Sequence, residues 1–468
     1  MVSRGNQEIE NKLDFEAIFN LIQEVQTVCH DLQVKELKYR IDKKQTEANE
    51  CHQMILGLQD LTIEKIKDIS YHICSYADSF QPDSEGKENK EEFTKAPQGK
   101  NDMVCAAKPD MRLAFLVAYY VKANAARSQV DFHEAQIKAT PPVSLKTMDY
   151  IMRIFWTSFD YLSHRNHDEE ETNEESGQTS PAKKLAIDNK PKDYYSKDMV
   201  LGGVLSSTIF DMPSAPISFK GWKIKHIKDE RDALSESNIV KSDGSSQIQK
   251  GSYTRLIYKI PSNLYIGNPK KNIAIWIKER GAWAMDSDFI DRESIQFHMD
   301  RTIDLHTYRL APICFMQTRC LDFPYKSWKF RSIKENDLAC LDIEGQRLFI
   351  QFHIGMGFVQ LKRIIEKDNL SGQSLKEFAD LMNKDFEPEQ LLYEMYRCGV
   401  NLLPVNQDAE HCNIQIKNMD AEERAIDEMS MAVRAYFFRS FKWMATTPKG
   451  SFGLYRNDHG GIHTKHRV

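Results

Sequence analysis

Two short stretches set a tryptophan among closely spaced bases: Lys220, Lys223 and Lys225 around Trp222 in KGWKIK, and Lys326, Lys329 and Arg331 around Trp328 in KSWKFR. Successive side chains of a strand point to opposite faces, so Trp328 and Phe330 fall on one face and Lys329 and Arg331 on the other. If the two strands share a sheet, their outward bases form a positive face. Such a face attracts an acidic partner, and the attraction weakens with salt. The plainer alternative is an ordinary solvated face above a Trp-filled core. Lys220, Lys223, Lys225, Lys329 and Arg331 are the candidate binding residues.

Catalytic patterns are missing from the sequence. It contains no GxxxxGK phosphate loop, HExxH motif or GxSxG elbow, and Gly355-Met356-Gly357 lacks the third glycine of a dinucleotide fingerprint. Cys29-His30, Cys51-His52, His72/Cys74 and His411-Cys412 are neighbours, but zinc needs about four converging ligands, normally in CxxC- or HxxxH-like pairs. Cys29, Cys51 and Cys74 fall on apolar stripes, where a thiol behaves as a small hydrophobe. No pair of carboxylates sits in a recognisable pocket motif. The expectation is a protein without catalytic, cofactor-binding or metal-binding residues.

Composition narrows the class further. The 468 residues suffice for two or three domains. A net charge of −5 argues against nucleic-acid binding by the chain as a whole. Nine cysteines without a CxxC pair suggest free thiols in a reducing compartment. The start, MVSRGNQEIENK, lacks the apolar core of a signal peptide, and no apolar run approaches the roughly 18–20 residues needed to span a bilayer. A soluble intracellular protein is expected, with no membrane partner.

The elements that would carry these residues follow from periodicity. Residues 1–80 form an N-terminal helical segment. Phe15, Ile18, Phe19, Ile22, Val25, Cys29 and Leu32 recur at three- and four-residue spacing, and Ile41, Ala48, Cys51, Ile55, Leu58, Ile66, Ile69 and Ile73 give a second stripe. These helices pair with each other or with a partner helix. Residues 81–107 read as a linker. Residues 108–362 form a β-rich, sandwich-like domain, interrupted by an acidic insert at 165–198 that cannot bury enough apolar area to order itself. Its strands are Met111–Val121, Gly203–Phe210, Ile217–Ile227, Tyr253–Ile260, Asn272–Ile277, Ser294–Met299, Ser327–Ile333, Leu338–Ile343 and Leu348–Ile354; Leu145–Tyr161 fits either helix or strand. Residues 363–444 suggest a small α/β, winged-helix-like unit. Ser374 to Glu377 has a capping-box pattern, Pro388 suits a first helical turn and Gly399 a helix C-terminus. Two extended pieces are expected between Val400 and Ile416, and one helix over Ala421–Phe441 with Ile426, Met429, Val433, Phe437 and Phe441 on one face. Residues 445–468 form a flexible tail. The fold class is α+β, and a WD propeller is not expected, because none of the six tryptophans precedes an aspartate.

Several segments also resemble one family. Val121 to Arg127 (VKANAAR), Val130-Asp131-Phe132 and Thr157 to Ser163 (TSFDYLS) match, in order, a block of the axonemal dynein intermediate chain 7 family, also called the cancer susceptibility candidate 1 proteins. Lys220-Gly221-Trp222, Phe323 to Trp328 (FPYKSW) and Gly399 to Pro404 (GVNLLP) resemble further stretches of it. The resemblance covers roughly residues 10–445. Family members commonly begin with a longer Glu/Arg/Lys-rich helix, whereas this sequence starts close to the first family-like block, and the insert at 165–198 is its own.

The resemblance implies a non-catalytic subunit of a multisubunit inner-arm dynein in the axoneme of a cilium or flagellum, and in the cytoplasm. Its implied partners are axonemal dynein heavy, intermediate and light chains and tubulin or microtubules, with regulation of ciliary motility as its role. In this reading the terminal helices dock neighbouring subunits, the β-rich middle is a rigid platform, and the five basic residues contact tubulin tails. The rival from another class is a cytoplasmic adaptor or cell-cycle regulator acting outside cilia.

Overall fold

The computed structural model describes residues 15–75, 77, 101–118, 129–142, 145, 149–163, 197–212, 217–219, 222–224, 233–234, 253–333, 338–367, 372–412, 414, 418–432, 436–441 and 453–456. The expected insert and tail lie outside them, apart from 197–198 and 453–456.

The two N-terminal stripes become helices α1 (Phe15–Ile41) and α2 (Gln45–Ser75). They are separated at 42–44, where Lys43 turns the chain with a φ of 59°. Gln26 Nε2 donates to Thr62 Oγ1 at 3.2 Å, and His52 Nδ1 lies 3.3 Å from a Glu36 carboxylate oxygen. Contacts at these levels make the pair an antiparallel hairpin. Its buried stripe includes Phe19, Ile22, Cys29, Ala48, Cys51, Ile55, Ile66 and Ile73. That stripe is consumed inside the chain, so of the two expected uses the hairpin is the one observed. Burial pushes the Cys29 thiol up to about 11, which suits a structural rather than a reactive role.

Under the hairpin lies a seven-stranded antiparallel sheet. Its order is β1 (Asn101–Lys108), β2 (Met111–Ala118), β5 (Tyr150–Thr157), β6 (Asp198–Asp211), β14 (Ile313–Thr318), β10 (Ile273–Ile277) and β11 (Ala282–Ala284). Strand β1 occupies positions expected to end a linker, and the ambiguous Leu145–Tyr161 segment provides β5. The run that loses its alternation along β2 has a physical reason. Met111, Leu113, Phe115 and Val117 pack with Phe15, Phe19, Ile66 and Ile73 of the hairpin, whereas Ala114, Leu116 and Ala118 face a second sheet. A strand buried on both faces needs apolar residues at every position.

That second sheet has five strands: β12 (Ile290–Phe297), β13 (Thr302–Thr307), β9 (Thr254–Lys259), β4 (Ile137–Thr140) and β3 (Val130–Phe132). One core joins the two sheets, with Leu116, Trp156, Leu205 and Phe315 on one side and Ile137, Leu256, Ile303 and Leu305 on the other. The sandwich-like middle is therefore present, with the helical hairpin as a third layer. The strand expected over Ser294–Met299 instead runs Ile290–Phe297. It ends where His298 to Arg301 turn, Arg301 having a φ of 66°.

A third sheet runs β18 (Phe358–Glu366), β17 (Leu348–Gly355), β16 (Leu338–Glu344), β15 (Ser327–Ile333), β19 (Tyr436–Phe441) and β20 (Gly453–Arg456). It packs on a short 3-10 helix (Lys376–Leu381) and on α3 (Pro388–Arg397) through Ile350, Phe352, Leu361, Phe378, Leu391 and Met395. The expected boundary at 362 falls inside β18, so the C-terminal helices and β15–β18 share one core. Pro388 opens α3, and Gly399, with a φ of 94°, follows its end.

Three local expectations are corrected. Ser374 does not cap a helix. The backbone N–H of Leu375 donates to Ile364 O at 2.9 Å, so this stretch runs beside β18, and the Ser374 hydroxyl accepts from the Ile364 N–H at 3.4 Å. Where two extended pieces are expected between Val400 and Ile416, the described residues hold helix α4 (Asn406–His411), its start closed by the Asp408 carboxylate accepting from the Val405 N–H at 2.9 Å; 413, 415 and 416 lie outside the described residues. The helix expected over Ala421–Phe441 is α5 (Met419–Ala432) only. Tyr436–Phe441 pairs with the open edge of β15, where an aromatic run finds the backbone partners a strand needs. Phe437 and Phe441 thus leave the helical stripe.

Candidate interaction surface

Strand register places the basic candidates. Trp328 stands opposite Ile343 and Phe330 opposite Leu341, on the face that carries the third core. Lys329 stands opposite Asp342 and Arg331 opposite Cys340, on the other face. All of β15 is half-buried, so Trp328 does not fill a core. The covering helix and 3-10 turn contact β18, at the far side of the sheet.

The two tryptophan strands do not share a sheet. Segment Ile217–Ile227, expected as one strand, doubles back. It forms β7 (Ile217–Phe219) and β8 (Trp222–Ile224), joined across two residues, as a two-stranded ribbon of its own. Lys223 lies on β8, while Lys220 and Lys225 fall outside the described residues. The shared basic sheet face is therefore not formed as expected, and Lys329 and Arg331 are the two candidates brought onto one strand face.

Around these two the charge is mixed. Asp342 accepts from Gln351 Nε2 at 2.7 Å and from the Cys340 thiol at 3.4 Å, and lies 3.9 Å from Arg331 Nη2. Glu344 accepts from Lys367 Nζ at 3.0 Å and from Ser327 Oγ at 2.8 Å; chiefly these two bonds hold its carboxyl below the ordinary range. Burial, followed by the charges of Lys362 and Arg331, lowers His353. This face offers alternating cations and carboxylates.

A second constellation lies at the joint between sandwich and third sheet. Asp322, almost fully buried, accepts two hydrogen bonds at 2.9 Å from the Arg347 guanidinium. Arg347 also donates to Gly399 O at 2.8 Å and stacks 4.9 Å from the Tyr265 ring centre. The Tyr265 hydroxyl donates to Glu366, and the Tyr265 N–H donates to Cys398 O at 2.8 Å. A Cβ on Gly399 would stand 2.6 Å from Tyr265 O, so close approach as well as the positive φ demands glycine. The Tyr325 hydroxyl donates to Leu402 O at 3.1 Å, and Asn401 Nδ2 to Arg319 O at 3.2 Å. The FPYKSW and GVNLLP stretches, about 75 residues apart, meet here. Asp322 and Arg347 were not legible as partners, since neither lies in a spaced motif.

This joint is a clamp between the sandwich and the third sheet. Arg347 Nε and Nη2 are taken by Asp322 and by Gly399 O, and the Tyr265 hydroxyl by Glu366, while Arg347 Nη1 is buried with no hydrogen-bond partner among the described residues. Among the described residues no group of three His, Cys, Asp or Glu side chains is placed to hold a metal ion, and no helix is long and apolar enough to cross a membrane.

No family model matches the chain. Individual proteins do. It is 23% identical over 257 residues to dynein axonemal intermediate chain 7 of Danio rerio, covering 52% of this chain and 33% of that protein. It is 22% identical over 276 residues to the Bos taurus protein of the same name, covering 56% and 37%. The dynein axonemal intermediate chain 7 homolog of Ciona intestinalis is 20% identical over 534 residues, covering 92% of this chain and 67% of the relative. The match thus spans about a third of the vertebrate relatives. These similarities bear out the family resemblance carried by the short motifs: the chain resembles the dynein axonemal intermediate chain 7 proteins, along most of its length in the Ciona case.

Proposed function

We propose that this protein is a non-catalytic subunit of an axonemal inner-arm dynein complex, which binds tubulin and tunes ciliary or flagellar motility. The carrying observation is the ordered similarity to relatives named dynein axonemal intermediate chain 7, extending over 92% of the chain in one of them. The joint where FPYKSW meets GVNLLP supports it, because two of the family-like stretches serve one structural purpose. In this reading dynein heavy, intermediate and light chains are the neighbours, and the axoneme is the site of action. Lys329 and Arg331, with Lys220, Lys223 and Lys225, supply contacts to acidic tubulin tails.

The test has two arms. The tagged protein is localised in ciliated cells, and its neighbours are mapped by cross-linking mass spectrometry on isolated axonemes. Cross-links to dynein chains are expected; a diffuse cytosolic signal without an axonemal fraction overturns the reading in favour of an adaptor acting outside cilia. In the second arm the five bases are charge-reversed and microtubule co-sedimentation is followed across salt. Weakened, less salt-sensitive binding is expected. Unchanged binding removes these residues from the contact.

A further inference from the structure

The hairpin carries a second apolar stripe that its own packing leaves uncovered. Leu21 and Val28 on α1 are 52% and 50% exposed, and Met54 and Leu61 on α2 are 50% and 55% exposed. At 3.6 residues per turn, each pair is rotated roughly a third of a turn from its helix's buried arc, in the same sense. Antiparallel packing reverses both direction and position, so equal rotations bring all four to one side. Gln26 meets Thr62 and Glu36 meets His52, which sets Val28 level with Leu61. Half-buried Leu32 and Leu58 connect the stripe across the groove between the helices. The opposite flank of α1 is already taken by α3, through His30 with Glu394 and Lys38 with Glu389.

Two further features say what fits there. Exposed Glu24, Asp31, Glu50 and Glu64 border the stripe, with Lys35 among them, and Lys65 is engaged by Asp68 at 2.7 Å. The border is acidic. Gly57 lies beside Leu61 and Met54 on the exposed face, and nothing stands within 4 Å of where its Cβ would be. Glycine weakens a helix interior, and no neighbour within the described residues requires it here. It does let another backbone come close.

We propose that this face binds one amphipathic helix of a partner protein, with apolar residues at heptad spacing flanked by Lys or Arg, completing a three-helix arrangement. The inference rests on the hairpin and not on the dynein reading. Apolar side chains of the incoming helix fill the groove between Val28 and Leu61, its bases meet the acidic border, and its backbone passes over Gly57.

The probe is a synthetic helix of about three heptads with Leu at a and d and Lys at e and g. It is compared with a Glu-flanked version and with a shuffled Leu/Lys peptide, by fluorescence anisotropy against the full chain. The Lys-flanked helix is expected to bind at least about tenfold more tightly than either control. The Val28→Asp/Leu61→Asp double variant should lose that binding with its melting curve intact, both positions being exposed. Gly57→Ala should raise thermal stability while weakening the peptide several-fold, a pairing that a merely structural glycine does not produce. Equal binding of the shuffled peptide, or undiminished binding by the double variant, overturns the proposal. Self-association that the double variant abolishes assigns the face to a second copy of the chain and overturns it too.

Discussion

Arg347 grips Asp322 through two parallel N–H···O bonds at 2.9 Å, and the carboxylate is almost wholly withdrawn from solvent. The same guanidinium reaches Gly399 O and the Tyr265 ring. One side chain thus ties β17's approach, the loop before β15 and the end of α3. Removing one member of a buried pair strands the other. Arg347→Ala or Asp322→Ala should cost about 3–5 kcal/mol in chemical denaturation. The Arg347→Lys variant should recover only part of it, because an ammonium lacks the planar fork. A loss below about 1 kcal/mol would show that water reaches the site.

Gly399 sits at the same joint under two constraints, a φ of 94° and 2.6 Å of clearance to Tyr265 O. Gly399→Ala should destabilise by more than about 1 kcal/mol, unlike an alanine at a compatible glycine. Gly57→Ala is the internal contrast, expected to stabilise by up to about 1 kcal/mol because it lies in a helix with open space around it. Thermal melts of the two variants should move in opposite directions.

The hairpin should respond to acid. Burial acts on Glu36 first and raises its carboxyl, but hydrogen bonding and charge from His52, together with Arg40, outweigh it and the net direction is down. A folded-state value below the unfolded one means the stabilisation is complete above the unfolded carboxylate range. It is lost as pH falls through the lowered value. Urea midpoints should therefore decline on acidification from neutral pH towards about pH 3, and Glu36→Gln should flatten that limb.

The N-terminal helices are a layer of the fold and not an appendage. Deleting residues 1–80 uncovers Leu113, Phe115, Val117 and Phe155 on the seven-stranded sheet. The shortened chain should be recovered in aggregates, judged by size-exclusion chromatography, since contiguous apolar patches of that kind do not stay solvated. A monomeric, cooperatively melting product would show that the hairpin is detachable.

Much of this architecture was legible from periodicity. The α1 and α2 stripes and the strands Ser327–Ile333, Leu338–Glu344 and Leu348–Gly355 follow the 3.6 and 2.0 repeats that burial imposes. What escaped depends on distant contacts. The tail of the expected C-terminal helix became β19 because an edge 110 or so residues earlier offered it hydrogen bonds, which no local window contains. Ser374 shows the same effect: its local pattern suits a cap, but β18 claims its hydroxyl and the backbone N–H of Leu375. The five bases form one positive face only if their two strands share a sheet. Strand β8 pairs with β7 in a ribbon of its own, and Lys329 and Arg331 are the two candidates set on one strand face.

The pairing of β19 with β15 also orders events in time. Ser327 meets Phe441 and Phe330 meets Phe438, so the third sheet cannot close until a late part of the chain is available. During synthesis β15 has one bare edge while everything from 334 to 435 is being made, an interval in which a chaperone or another β-edge can compete for it. A premature stop before Tyr436 leaves that edge permanently open, and its consequence is capture by the quality-control machinery rather than loss of a single contact.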